Sequence, residues 1–167
     1  MKNQINLSVS LIRRIVAAVP AANNGMMDID LGNFGMASIM LDQLQIGDNV
    51  LILPLRFRLR RNSDRNPLEA DMELTNWRIS EDTIWFTLER IGNLRGPILE
   101  VARRGLIAVI SRIVTLRTGT QIRSGRRAGE LGIPLVPLLG RWGTKELPVT
   151  ISAIQMKNGV TLYLAER

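Results

Sequence analysis

The sequence predicts an α+β fold: a strongly curved antiparallel sheet built from three related β-hairpins, with an N-terminal amphipathic helix and a longer, mostly apolar helix. Three observations predict it. The chain has 167 residues, 46% hydrophobic and 22% charged, which fits one soluble globular domain spanning 1–167. Period-two apolar alternation flanks a polar turn three times over. Two other segments carry the longer period of a helix.

The hairpins come first because they are self-similar. The three segments run from Ile39 to Ile52, from Met72 to Phe86 and from Val149 to Leu162. Each has an apolar first arm: Ile39, Leu41, Leu44 and Ile46; Met72, Leu74, Trp77 and Ile79; Val149, Ile151, Ile154 and Met156. A turn follows each arm, Gly47-Asp-Asn, Ser80-Glu-Asp-Thr or Lys157-Asn-Gly, and alternation then resumes. Asn158-Gly159 is the clearest turn, since both residues tolerate positive φ. Within each first arm one spacing is three rather than two (Leu41 to Leu44, Leu74 to Trp77, Ile151 to Ile154). That extra residue predicts a bulge that bends each strand at an equivalent place.

The first helix is expected over residues 8–19, with Leu11, Ile12, Ile15, Val16 and Val19 on its buried face. Ser8 or Ser10 would cap it and Pro20 would stop it. The second is expected over residues 96–115, with Pro97 in its first turn. Ile98, Leu99, Ala102, Leu106, Val109, Ile110, Ile113 and Val114 cover more than half of its circumference. Its polar strip is narrow, Glu100, Arg104 and Ser111, with Glu100 and Arg104 spaced for an i,i+4 pair. A helix apolar over so wide an arc must be wrapped by a sheet, a partner or lipid.

Between these elements a short strand is expected at Met26–Leu31, a basic strand end at Leu53–Arg61 and a loop at Asn62–Pro67. Residues 117–132 hold four glycines and four arginines with little apolar periodicity, and read as a mobile loop. Residues 133–139 are apolar, but their prolines confine them to an edge strand or an extended segment.

Composition excludes most catalysis. There is no Cys and no His, so disulfides, thiolate metal sites, most hydrolase triads and the commonest general base are absent. Neither a dinucleotide fingerprint, a phosphate-binding loop nor a nucleophile elbow is present. Asp28 and Asp30 alternate on one strand and face the same side, as expected of an exposed strand face. We therefore expect no enzyme, no cofactor and no metal site.

Charge is more informative. The chain has 22 Lys and Arg against 15 Asp and Glu, a net +7, and only three of the cations are lysines. Residues 1–89 are net −2, whereas residues 90–145 are net +9. Such clustering attracts phosphate-bearing partners. Arg56, Arg58 and Arg60 alternate, so they project from one strand face while Phe57 and Leu59 face the core. Arg117, Arg123, Arg126 and Arg127 decorate the glycine-rich stretch. The guanidinium fork suits phosphate.

Phosphate is carried by nucleic acid and by anionic lipid. Nucleic acid needs aromatic stacking partners among the charges; aromatics are only 4% here, and Trp85 is the best outward-facing candidate. Lipid needs apolar surface, which the second helix supplies. Ile98, Leu106, Val109, Ile110 and Ile113 would line an apolar groove, with the seven arginines at positions 56, 58, 60, 117, 123, 126 and 127 meeting phosphate.

At pattern level the chain resembles the bacterial tubular lipid-binding (TULIP-like) proteins. The resemblance rests on an N-terminal helix followed by strands, hairpins of the form Ile-x-Leu-x-x-Leu-x-Ile…Asp-Asn-Val, a long apolar helix near Pro97 and a closing hairpin at Asn158-Gly159. It covers most of residues 7–164. It implies phospholipid bound in a tapered apolar groove, and assigns no individual residue. The first apolar segment, Leu7 to Ala22, is interrupted by Arg13 and Arg14, unlike a signal peptide. No run approaches the ~20 apolar residues of a membrane span. A cytoplasmic or peripheral membrane location is expected. The expected function is non-catalytic binding of phospholipid or an anionic membrane surface; nucleic-acid binding and an oligomeric structural module are the alternatives.

Overall fold

In chain order the elements are β1 (Gln4–Ser8), α1 (Val9–Ala17), β2 (Met26–Asp30), β3 (Gly35–Met40), β4 (Gln45–Ile46), β5 (Val50–Leu59), β6 (Leu68–Ser80) and β7 (Thr83–Ile91). Then come α2 (Gly96–Thr118), β8 (Arg123–Ser124), β9 (Glu130–Pro134), β10 (Val149–Met156) and β11 (Gly159–Glu166). The computed structural model describes residues 3–17, 25–30, 32–60, 66–135 and 149–166, except the side chains of residues 16, 17, 34, 113, 116–118 and 149.

Each of the three marked turns closes an antiparallel hairpin. At the tip of β6–β7 both Glu81 and Asp82 have positive φ, 51° and 53°, the two-residue turn whose twist matches that of the flanking strands. The three-residue spacings mark irregularities in all three first arms. Leu41–Gln43 forms a single 3-10 turn between β3 and β4. On β6 the register slips between Thr75 and Arg78, where Asn76 has φ 55°. On β10 it slips between Ile151 and Ala153.

Strands β2-β3-β5-β6-β7-β9-β8, with β4 also paired to β5, form one antiparallel sheet curled into a half-barrel. The third hairpin joins a separate sheet, β1-β11-β10. The cause is β1, which sequence periodicity left unassigned: residues 4–8 pair along β11 and give that hairpin its own third strand. The two sheets meet where the Asn49 amide donates to the Met156 carbonyl at 3.0 Å. Thr150 Oγ1 also donates to Asp82 Oδ1 at 3.3 Å.

The core fills the curl. Ala37, Leu55, Leu88 and Ile91 are fully buried, with Met72, Phe86, Leu106 and Leu131 almost so. Each large side chain sequestered this way contributes about 1.5–3 kcal/mol. Trp77 stacks on Phe86 with centroids 4.7 Å apart, and its Nε1 donates to the Leu74 carbonyl at 2.8 Å.

Both helices depart from the expected burial. In α1 the Ser8 hydroxyl accepts from the Leu11 amide at 3.3 Å, as a cap should. Val9 and Ile12 pack on the core, whereas Leu11 and Ile15 are 42% and 50% exposed. The reason is Arg13, whose Nε and Nη2 donate to the Leu44 carbonyl at 2.9 and 2.7 Å and rotate the helix toward that contact. Val19 and Pro20 lie outside the described residues, as do most of the expected loop at 62–67 and residues 136–148.

In α2 only one side is covered. Leu99, Ala102, Leu106 and Val109 pack on the core, while Ile98 and Val101 are 67% and 69% exposed. Glu100 pairs with Arg103, not with Arg104 as its spacing had predicted. Arg103 is drawn inward because β7 outruns β9: beyond Thr87 its carbonyls have no strand partner on that side. Arg103 Nε donates to the Leu88 carbonyl at 2.8 Å and Nη2 to that of Glu89 at 2.7 Å.

The stretch expected to be one mobile loop is more ordered. Helix α2 runs on to Thr118, and β8 and β9 occupy Arg123–Ser124 and Glu130–Pro134. Strand β8 covers only Leu131 and Gly132, so β9 is the sheet edge at Pro134, as its proline requires. Among the described residues no helix is long and apolar enough to cross a membrane.

Candidate functional site

The tip of the β6–β7 hairpin and the segment joining β8 to β9 enclose a groove of about 750 Å³. One wall is Asn76, Trp77, Arg78, Ser80, Glu81 and Trp85; the other is Ser124, Gly125, Arg126, Arg127 and Glu130, with Asn49 at the margin.

The hairpin wall is set by register. With Glu81 and Asp82 as the turn, Arg78 pairs across to Trp85, and Trp85 in turn pairs across to Gly132. The slip at Asn76 sends Trp77 to the core and Arg78 to the groove. The Arg78 guanidinium carbon lies 5.7 Å from the Trp85 ring centroid, within cation–π range. Gly132 admits the other side of the ring: a Cβ there would stand 2.8 Å from Trp85 Cζ3. Trp85 is therefore half-buried beside Arg78 and Gly132 rather than standing as an open stacking platform.

Glu130 organises the opposite wall. Its side chain is only 6% exposed, and Oε1 accepts from Arg78 Nη2 at 2.7 Å. Oε2 accepts from the amides of Arg126 and Arg127 at 2.8 and 3.3 Å. The Arg78 hydrogen bond, reinforced by the backbone donors, holds the carboxyl below its usual range, while burial pushes it the other way. Gly125 lies directly against this carboxylate, where any Cβ would collide with it. The result is a turn that holds Arg126 and Arg127 side by side. Among the described residues neither guanidinium is in an ion pair.

The basic residues singled out from sequence divide between two places. Arg56 Nη2 lies 3.0 Å from Glu69 Oε1 on the neighbouring strand. Arg58 and Arg60 are exposed beyond it, and Leu59, expected to face the core, is 39% exposed. At the far edge of the sheet, beyond β6, β7 and β9, Arg123 Nη1 donates to Thr83 Oγ1 at 3.2 Å, and Arg126 and Arg127 line the groove. Arg117 and Ile113 lie outside the described side chains. Of the expected apolar set, Leu106 is in the core and Val109 packs against it; Ile110 is half-buried and Ile98 faces solvent. Of this set Leu106 and Val109 thus serve the core, whereas Ile98 in the first turn of α2 stands free of it.

No protein-family model, curated protein or solved structure matches this chain.

Sequence reasoning missed Arg78, Asn76, Glu130 and Arg103. The first was readable, because a two-residue turn at Glu81-Asp82 fixes Arg78 opposite Trp85. Glu130 also left a trace, as one of only two acids among residues 90–145. Asp28 and Asp30 serve local structure: they accept from Ser38 Oγ and from the Gly32 amide. Among the described residues no group of three or more carboxylates converges to hold a metal.

Proposed function

We propose that the protein binds the surface of anionic phospholipid membranes without catalysis, and does so through the uncovered side of α2. The observation that carries this reading is the make-up of that side. Ile98, Val101, Gly105 and Ala108 are exposed there beside Arg104 and Arg112. The helix's one acid, Glu100, is engaged by Arg103. An apolar strip flanked by cations, with no free carboxylate, complements an interface of acyl chains and phosphate. Each arginine near such a surface contributes about 1 kcal/mol, a part that salt screens, while the apolar side chains supply a part that salt does not. The pattern-level resemblance to tubular lipid-binding proteins points to the same ligand class. The enclosed apolar groove expected from sequence is not needed for it.

The nucleic-acid alternative finds less support, because Trp85 is half-buried beside Arg78 and Gly132 and Arg56 is paired with Glu69. Flotation with neutral and phosphatidylglycerol-containing vesicles, at low and high salt, tests the proposal. Binding should require the anionic lipid and persist in part at high salt. The double variant I98Q/V101Q, altered only at exposed positions, should lose the salt-resistant part while melting as the parent does. Flotation unaffected by that variant would refute the assignment. A shift from dimer to monomer in sedimentation would instead identify α2 as a self-association face.

A further inference from the structure

We propose that the groove beside Trp85 is a second, independent site, which binds a small phosphomonoester through Arg126 and Arg127. The first argument is preorganisation. A nearly buried Glu130 occupies the amides of both arginines and fixes the turn that carries them. Anion recognition there falls to the two guanidinium groups, carried on a backbone turn that is already fixed, so little loop freedom is lost when a ligand arrives. Gly125 is the sequence counterpart of this arrangement, since any larger residue would displace the carboxylate.

The second argument is charge. Five ionisable side chains line the groove: Arg78, Arg126, Arg127, Glu81 and Glu130. Their formal sum is +1, and Arg78 is already compensated by Glu130. That suits one phosphate group of about −1.5 to −2. It does not suit a polyanion, whose next phosphates would meet Glu81 on the turn. The third argument is size and polarity. About 750 Å³ with Asn49, Asn76, Ser80 and Ser124 at its margins accommodates a hydroxylated ligand of small-metabolite size.

Two sources of such a phosphomonoester are the headgroup of phosphatidic acid and a soluble nucleotide. Amide-detected NMR titration of the full chain with sn-glycerol 3-phosphate and with AMP separates them. Saturable shifts at Arg126, Arg127 and the Trp85 indole are expected in the millimolar range or tighter. Stronger binding of the glycerol ester would assign the headgroup, stronger binding of AMP the nucleotide, and equal binding the phosphate alone. R126Q/R127Q should weaken binding at least about tenfold with melting unchanged. Shifts that do not saturate, or a double variant that binds as the parent does, would overturn the proposal. Neither ligand carries an acyl chain, so failure here leaves the membrane reading standing, and the reverse holds for vesicle flotation.

Discussion

Arg103 donates from the middle of α2 to the carbonyl of Leu88 at 2.8 Å, at the point where β7 has run past the end of β9. A sheet edge buried under a helix leaves carbonyls that neither strand nor water satisfies. One guanidinium answers two of them, at Leu88 and Glu89, and takes Glu100 as its counter-ion. The same side chain also shapes the neighbouring turn, because a Cβ on Gly129 would stand 2.8 Å from Arg103 Cδ.

Replacing Arg103 with Met keeps most of the packing but removes every donor. Unsatisfied buried acceptors cost about 1–3 kcal/mol. Arg103→Met should therefore lower the unfolding free energy by about that amount, read as a lower urea midpoint at unchanged m-value. Arg103→Lys should recover only part, since a single ammonium lacks the fork that spans two carbonyls. Equal stability of Met and Arg at this position would show that the carbonyls find other partners.

Asn76 sits at φ 55° in the β6 slip that turns Trp77 inward and Arg78 outward. The left-handed region costs a residue with a Cβ about 1–2 kcal/mol, and Asn less because its short side chain bonds locally. Asn76→Ala should destabilise by about 1 kcal/mol, whereas Asn76→Gly should stay within a few tenths. The two variants separate backbone strain from loss of the side chain: a Gly variant as weak as Ala would assign the effect to the amide group instead.

This bulge also shows how far the sequence could be read. The three-residue spacing from Leu74 to Trp77 is a local signal, and the matching steps in the other two hairpins make it visible in the sequence alone. Turn chemistry at Glu81-Asp82 and Asn158-Gly159 likewise located the hairpins. What periodicity did not carry is long-range partnership. Residues 4–8 carry no assignable pattern until β11 is there to pair with them. Arg13 and Arg103 look like surface charges until the carbonyls of Leu44 and Leu88 are placed beneath them. Arg126 and Arg127 are recognisable from sequence as anion-binding candidates, but the turn that carries them depends on Glu130 folding back onto their amides.

Glu130 provides the pH test of that placement. The Arg78 hydrogen bond is the main cause holding its carboxyl below the ordinary 4.5, against an opposing contribution from burial. As pH falls, the unfolded chain takes up this proton first, and the folded protein does so only at a lower pH. Between those two values the unfolded state binds more protons, so stability must decline with falling pH. The contribution is fully present above about pH 5 and is lost as pH drops through the folded value. Glu130→Gln removes the titrating group, retains an acceptor for Arg78 and loses the charge. It should be less stable than the parent at pH 7, and its urea midpoint should fall less steeply between about pH 5 and pH 3. Parallel curves for the two proteins would mean that Arg78 and the Arg126–Arg127 turn are held by something other than the ionised carboxylate.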